Sequence, residues 1–139
     1  MDYRRLFIDS DVLLDLMLNR EPYFGYTQLL IIERHKRKLD LNTSALIIAN
    51  IHYIISKKIG AKAATESIRN LVKLINVLPF ETDIISLVLN SDFIDFEDGI
   101  QHFIANRYNC EAIITRNVKD YKPSTLPVYT TEQYLNNFK

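Results

Sequence analysis

The stretch SDFIDFEDGIQHFI, residues 91–104, sets four carboxylates, Asp92, Asp95, Glu97 and Asp98, within seven positions. A helix start takes some of them: Asp95 is a good N-cap, and each acid in a first turn contributes about 0.3–1 kcal/mol against the helix dipole. That accounts for one or two acids more comfortably than for four. Like charges this dense repel unless a cation neutralises them, so the surplus points to a bound ion. At about 100° per residue, Phe96, Ile100, Phe103 and Ile104 form one buried stripe, while Asp95, Asp98 and His102 share a different face within an arc of roughly 60°.

Two other segments belong to the same chemistry once they are placed on a sheet. Arg5 to Asp9 (RLFID) reads as a short buried strand ending on a carboxylate, and Glu111 to Thr115 (EAIIT) as another, followed by Arg116, Asn117 and, shortly after, Asp120. In a parallel α/β sheet, ligand sites gather outside the carboxyl ends of the strands, so Asp9, Thr115, Arg116 and Asn117 are expected at one rim. Hard divalent cations take oxygen ligands, often one or two carboxylates with water and phosphate supplying the rest, a minimum that Asp9 and Asp98 meet.

The elements that must position these residues alternate. Ser10 is expected to cap a helix with Val12, Leu13, Leu16 and Met17 on its apolar side. Tyr23 to Lys38 forms a second helix ending in the cations RHKRK. Leu39 to Asn42 reads as a strand, with Thr43 or Ser44 capping a long helix that stops at Gly60. A helix over 61–74, a strand over 75–80, a short helix over 83–90, the acidic-headed helix over 95–108, a strand over 127–129 and a last helix from Thr131 complete the chain. Strands alternating with helices, without hairpin signals, predict an α/β sandwich around a mostly parallel sheet.

The 139 residues, 47% hydrophobic with formal net charge +0, predict one domain over 1–139 and lack the strongly basic signature of a dedicated nucleic-acid binder. The charge is nonetheless uneven. Nine Lys or Arg against two acids fall between Arg34 and Lys73, and eight acids against Arg107, Arg116 and Lys119 between Glu81 and Asp120. The single Cys110 excludes an internal disulfide and reads as a small buried residue. With no run long enough to span a bilayer, a soluble cytoplasmic protein is expected.

FIDSDVLLDLML, TSALIIANIHYII, DFEDGIQHFIA and CEAIITRNVKDYKPSTLPVYTTEQYL, in this order, resemble the PIN domain, the nuclease fold of many bacterial toxin–antitoxin toxins. The resemblance implies a three-layer α/β/α sandwich and Mg²⁺- or Mn²⁺-dependent hydrolysis of RNA phosphodiester bonds, with RNA and an antitoxin protein as partners and a homodimer as the assembly. It carries two family aspartates onto Asp9 and Asp98. The family's middle-helix glutamate falls on Asn50 and its aspartate after Thr-Arg on Asn117, both uncharged here, with Asp95 and Asp120 as the acids that would compensate. Under this resemblance Asp9, Asp98 and Asp95 hold the metal, Thr115, Arg116 and Asn117 position water or phosphate, and the basic segment Arg34–Lys73 tracks the RNA backbone.

Two alternatives stay open: a PIN-like module that binds RNA or protein without cutting, suggested by Asn50 and Asn117, and an aspartate-nucleophile phosphatase suggested by D-S-D. The phosphatase pattern wants Thr or Val where this chain has Leu13. His52 reads as a satisfied core histidine, His102 as a partly exposed helical one, and Asp11 and Asp15 as acids of the first helix.

Overall fold

The computed structural model describes residues 2–138. Five strands, β1 (Arg5–Ile8), β2 (Asp40–Ser44), β3 (Asn76–Leu78), β4 (Ala112–Ile114) and β5 (Val128–Tyr129), form one sheet in the order β3-β2-β1-β4-β5, every pair parallel. The helices are α1 (Ser10–Met17), α2 (Tyr23–Lys36), α3 (Ala45–Ile59), α4 (Ala61–Leu71), α5 (Asp83–Leu89), α6 (Phe96–Arg107) and α7 (Thr131–Asn137), with a 3-10 turn at Val118–Tyr121. Among the described residues no helix is long and apolar enough to cross a membrane.

The topology decides where a ligand can sit. From β1 the chain steps outward to β2 and β3, then returns across the sheet to β4 on the other side of β1. Right-handed crossovers running in opposite directions place their helices on opposite faces, so a crevice opens at the carboxyl ends of β1 and β4. The register sets Ile8 beside Ile114, which brings the next residues, Asp9 and Thr115, to the two lips of that crevice.

The core is the buried run Leu6, Phe7, Ile8 of β1 against Ala112, Ile113, Ile114 of β4, closed by Ile47, Ile51 and Ile55 of α3 and Ile100 and Ile104 of α6. The strand β2 extends through Asn42, Thr43 and Ser44, all fully buried. Their polar atoms are satisfied internally: Asn42 Nδ2 donates to the Leu6 carbonyl at 3.2 Å, Thr43 Oγ1 to the Ile8 carbonyl at 3.0 Å, and Ser44 Oγ to Gln101 Oε1 at 2.6 Å. Cys110 is buried, as expected, and burial pushes its thiol up to about 12.

Several local expectations are corrected. Asp9, rather than Ser10, caps α1, its Oδ1 accepting the Ser10 amide at 2.8 Å. Phe96 leaves the expected buried stripe and is 44% exposed, since it sits at the first position of α6 ahead of the turn that meets the core. His102 is 3% exposed instead of partly solvated. It rests against Phe93 with ring centroids 5.0 Å apart, and its Nε2 accepts the Thr125 amide at 3.1 Å.

Candidate functional site

Asp9 stands at the end of the central strand, where the chain turns from β1 into α1, and is 4% exposed. Three donors hold its carboxylate: the Ser10 amide on Oδ1, and on Oδ2 the Thr115 hydroxyl at 2.8 Å and the Tyr121 hydroxyl at 3.1 Å. Burial, then the charge of Asp11, nevertheless raises its pKa from 3.8 to about 6, with the three hydrogen bonds opposing. Thr115 also accepts the Asn117 amide at 3.1 Å, so one hydroxyl ties the β4 end to both Asp9 and the following turn.

Asp98 enters from the other side of the crevice, in the first turn of α6. Asp95 caps that helix, its Oδ1 accepting the Asp98 amide at 3.0 Å. One turn on, Gln101 docks on Ser44, the cap of α3, and so locks the start of α6 against the end of β2. Burial is the main cause that lifts the Asp98 pKa from 3.8 to about 7, and the charges of Asp9, Asp95, Asp120 and Asp11 follow. Asp9 and Asp98 therefore repel one another across a single crevice, with Asp120 and Asp11 contributing to the same negative field.

Asn117 donates Nδ2 to Asp11 Oδ2 at 2.9 Å, and Asn50 donates Nδ2 to Glu97 Oε1 at 3.3 Å. Each asparagine thus lies beside a carboxylate supplied by another element. Arg116 turns back from the crevice: its Nε lies 2.9 Å from Asp15 Oδ2 and its guanidinium 4.2 Å from the centre of the Tyr23 ring. His102 is engaged elsewhere: Thr125 holds its ring nitrogen, its ring rests on Phe93, and burial depresses its pKa to about 4. Sequence reasoning passed over Tyr121, Asp11 and Glu97. Tyr121 rides on a short 3-10 turn with no periodic signature, whereas Asp11 and Glu97 read as ordinary first-turn acids.

The donor set suits a hard divalent cation. All the facing ligands are oxygens, and Asp11 Oδ1 is buried without a hydrogen-bond donor among the described residues. Asp9 Oδ1 uses only one of its lone pairs on Ser10. Among the described residues no three His, Cys, Asp or Glu side chains already converge to metal-holding distance. A cation here would rely on one or two carboxylates, with water and substrate oxygens completing its shell, as Mg²⁺ commonly does.

The chain is 29% identical over 139 residues to a protein named Ribonuclease VapC1 from Aquifex aeolicus (strain VF5), covering 96% of this chain and 95% of that one. Among solved structures, DNA-bound VapBC from Salmonella typhimurium superposes with a TM-score of 0.73 at 9% identity, over 92% of this chain and 98% of that one. VapBC-1 from nontypeable Haemophilus influenzae gives 0.68 at 21% identity, over 91% and 98%. Neither likeness extends beyond the fold. The named relative is a ribonuclease and not a phosphatase, so the comparison lends the phosphatase alternative no support. The PIN domain model matches residues 5–119, the span that carries Asp9, Asp98 and the β1–β4 crevice, and the chain belongs to the PIN domain family.

Proposed function

We propose that this chain is a toxin-type endoribonuclease that hydrolyses RNA phosphodiester bonds at the β1–β4 crevice with Mg²⁺ or Mn²⁺. The observation that carries the reading is the placing of Asp9, at the end of the central strand, near enough to Asp98, in the first turn of α6, for the charge of Asp9 to raise the Asp98 pKa, beside the topological switch point. The name of the Aquifex relative supports RNA as substrate, and the family match supports a nuclease.

Asp9 and Asp98 would hold the cation, with Asp11 and Asp120 adding to its field and Asp95 acting chiefly as the cap that aims Asp98. When bound, such an ion acidifies water and offsets charge on the phosphate oxygens. Thr115 and Tyr121 fix the Asp9 carboxylate by donating to the same oxygen, which leaves Oδ1, bonded to the Ser10 amide, with a spare lone pair. Asn117, tethered to Asp11 through Nδ2, keeps its carbonyl oxygen to orient water. Arg116 stands one residue away, its charge partly answered by Asp15, and would bias the phosphate position at longer range. The antitoxin partner and the homodimer are proposals of the same reading; solved neighbours described as toxin–antitoxin and VapBC structures support the former.

The second reading, a module that binds without cutting, rests on Asn50 and Asn117. Against it, each amide is bonded to a nearby carboxylate, so the negative charge is displaced to Glu97 and Asp11 and not lost from the region. Cleavage of single-stranded RNA with Mn²⁺ separates the two. The parent protein is expected to cut and Asp98→Asn to lose about 100-fold or more in rate at an unchanged fold. Equal cleavage by the variant would remove the site assignment, and a folded parent that binds RNA without cutting would establish the second reading.

A further inference from the structure

Next to the crevice, and sharing Asn117 with it, lies a cavity of about 410 Å³ among the α1–α2 turn, the end of β4 and the start of α7. Part of its wall is a flat, cationic stack: the Arg116 guanidinium over the Tyr23 ring at 4.2 Å. Asp15, 1% exposed, anchors that stack through an ion pair of 2.9 Å. A buried carboxylate committed to Arg116 therefore lines the cavity. A second carboxylate, Glu132, takes the Tyr26 hydroxyl on Oε1 at 3.0 Å and leaves Oε2 without a donor among the described residues. The wall thus joins a stacking surface to two carboxylates, Asp15 and Glu132, set among the hydroxyls of Thr27, Thr130 and Thr131.

We infer that this cavity is a nucleobase subsite that takes the unpaired base beside the cut phosphate and selects guanine; the inference rests on the ribonuclease reading above. The volume lies within the range of small-molecule pockets. Unpaired RNA bases stack on aromatic rings and on arginine planes, and Tyr23 with Arg116 offers both. Selection follows from the Glu132 carboxylate. Guanine presents two adjacent donors, N1–H and the 2-amino group, which one carboxylate accepts in parallel. Adenine and cytosine set a ring acceptor beside their amino donor, and uracil flanks its one donor with carbonyls, so each turns a lone pair toward the carboxylate. Asp15 steadies the stack, Glu132 reads the base edge, and Asn117 stands between this base and the metal-binding carboxylates.

The test measures binding of GMP, AMP, CMP and UMP to the full chain without divalent metal, alongside Mn²⁺-dependent cleavage of RNAs that vary the bases flanking the cut. GMP is expected to bind about tenfold tighter than the other three, and cleavage is expected to prefer guanine at one flanking position. Tyr23→Leu should weaken GMP about tenfold, and Glu132→Gln should bring GMP and AMP within about twofold, because an amide offers adenine a matching donor and acceptor. Both side chains are solvent-exposed, and thermal midpoints equal to the parent's would confirm that the variants fold. Four nucleotides bound equally, none bound, or a preference untouched by both variants overturns the inference. Selective GMP binding with no guanine preference in RNA cleavage also overturns it, marking a free-nucleotide site. If the parent binds GMP selectively but cuts no RNA, the ribonuclease reading fails while the base site stands. If it cuts RNA with no base preference and binds no nucleotide selectively, the reverse holds.

Discussion

Asp9 carries a charge in a place that resists it. Three donors lower its pKa and burial raises it, with burial winning to leave it at about 6, while Asp98 reaches about 7. For Asp9, the rise from 3.8 corresponds to roughly 3 kcal/mol against the ionised form. Both folded-state values exceed the unfolded ones, so between about pH 4 and 7 the folded protein binds more protons than the unfolded chain. Stability associated with these groups is full below pH 3.8 and is lost as pH rises through 6 and 7. Glu111, lowered by the Arg5 and Arg4 amides, works in the opposite sense but below about pH 4.5. In EDTA, the thermal midpoint is therefore expected to fall between pH 5 and 8. Asp98→Asn should flatten that fall, and Mg²⁺ should raise the midpoint more at pH 8 than at pH 5. A midpoint that climbs across the interval in EDTA would contradict this electrostatic account. The placing of Asp9 and Asp98 at one crevice was legible in the sequence because an acid ending an apolar strand falls at the carboxyl edge of a parallel sheet, and the acids at 92–98 exceed what capping one helix needs. Tyr121 was not, because its contact with Asp9 spans 112 positions and depends on one irregular turn.

At the scale of elements, the alternation of apolar runs and helical stripes located all five strands, but β2 shows where such reading stops. It ends in Asn-Thr-Ser, types that favour turns, and only pairing with β1 and docking of α6 make those side chains acceptable in the interior. The face of α6 was misread for a related reason. His102 was assigned to the acidic side by its angle on the helix, yet Phe93 and Thr125 come from flanking segments that no periodicity describes. Gly99 is the tightest joint in this part of the fold. A β-carbon there would lie 2.7 Å from Val88 Cγ1 and 3.1 Å from Phe93 Cβ, where α5 and the loop after it press on α6. Helix propensity favours alanine by about 0.5–1 kcal/mol, but overpacking against neighbours this close costs about 1–3 kcal/mol. Gly99→Ala is expected to destabilise the protein by about 1 kcal/mol in urea denaturation and, by displacing the first turn of α6, to slow RNA cleavage. A variant more stable than the parent would show that Val88 and Phe93 yield freely.

For the whole molecule, the sheet sorts the charge that the sequence displays only as blocks. Of the cations between Arg34 and Lys73 that were expected to follow RNA past the site, the group Arg34 to Lys38 does not lie at the carboxyl edge of the sheet. Instead α2 delivers them to the start of β2, where Arg4 Nε donates to the Arg37 carbonyl at 3.2 Å and Asp40 pairs with Arg5, at the amino edge of the sheet and away from Asp9. The carboxyl edge has its own cations. Lys119 and Lys122 flank Asp95 and Asp120 in a cleft of about 620 Å³, and both are exposed. An RNA strand with its phosphate at the crevice would pass over these lysines, and each phosphate contact on a single strand contributes about 0.7 to the dependence of log K on log salt. Replacing both lysines, Lys119→Ala with Lys122→Ala, is thus expected to reduce that slope by about 1 to 1.5 in metal-free anisotropy measurements on a short single-stranded RNA, and to weaken binding without regard to sequence. Replacing Lys36 and Lys38 by alanine should leave slope and affinity unchanged. Should the amino-edge pair prove to carry the slope, the strand would run across the opposite side of the sheet, and the crevice between β1 and β4 would lose its claim to be where RNA is bound.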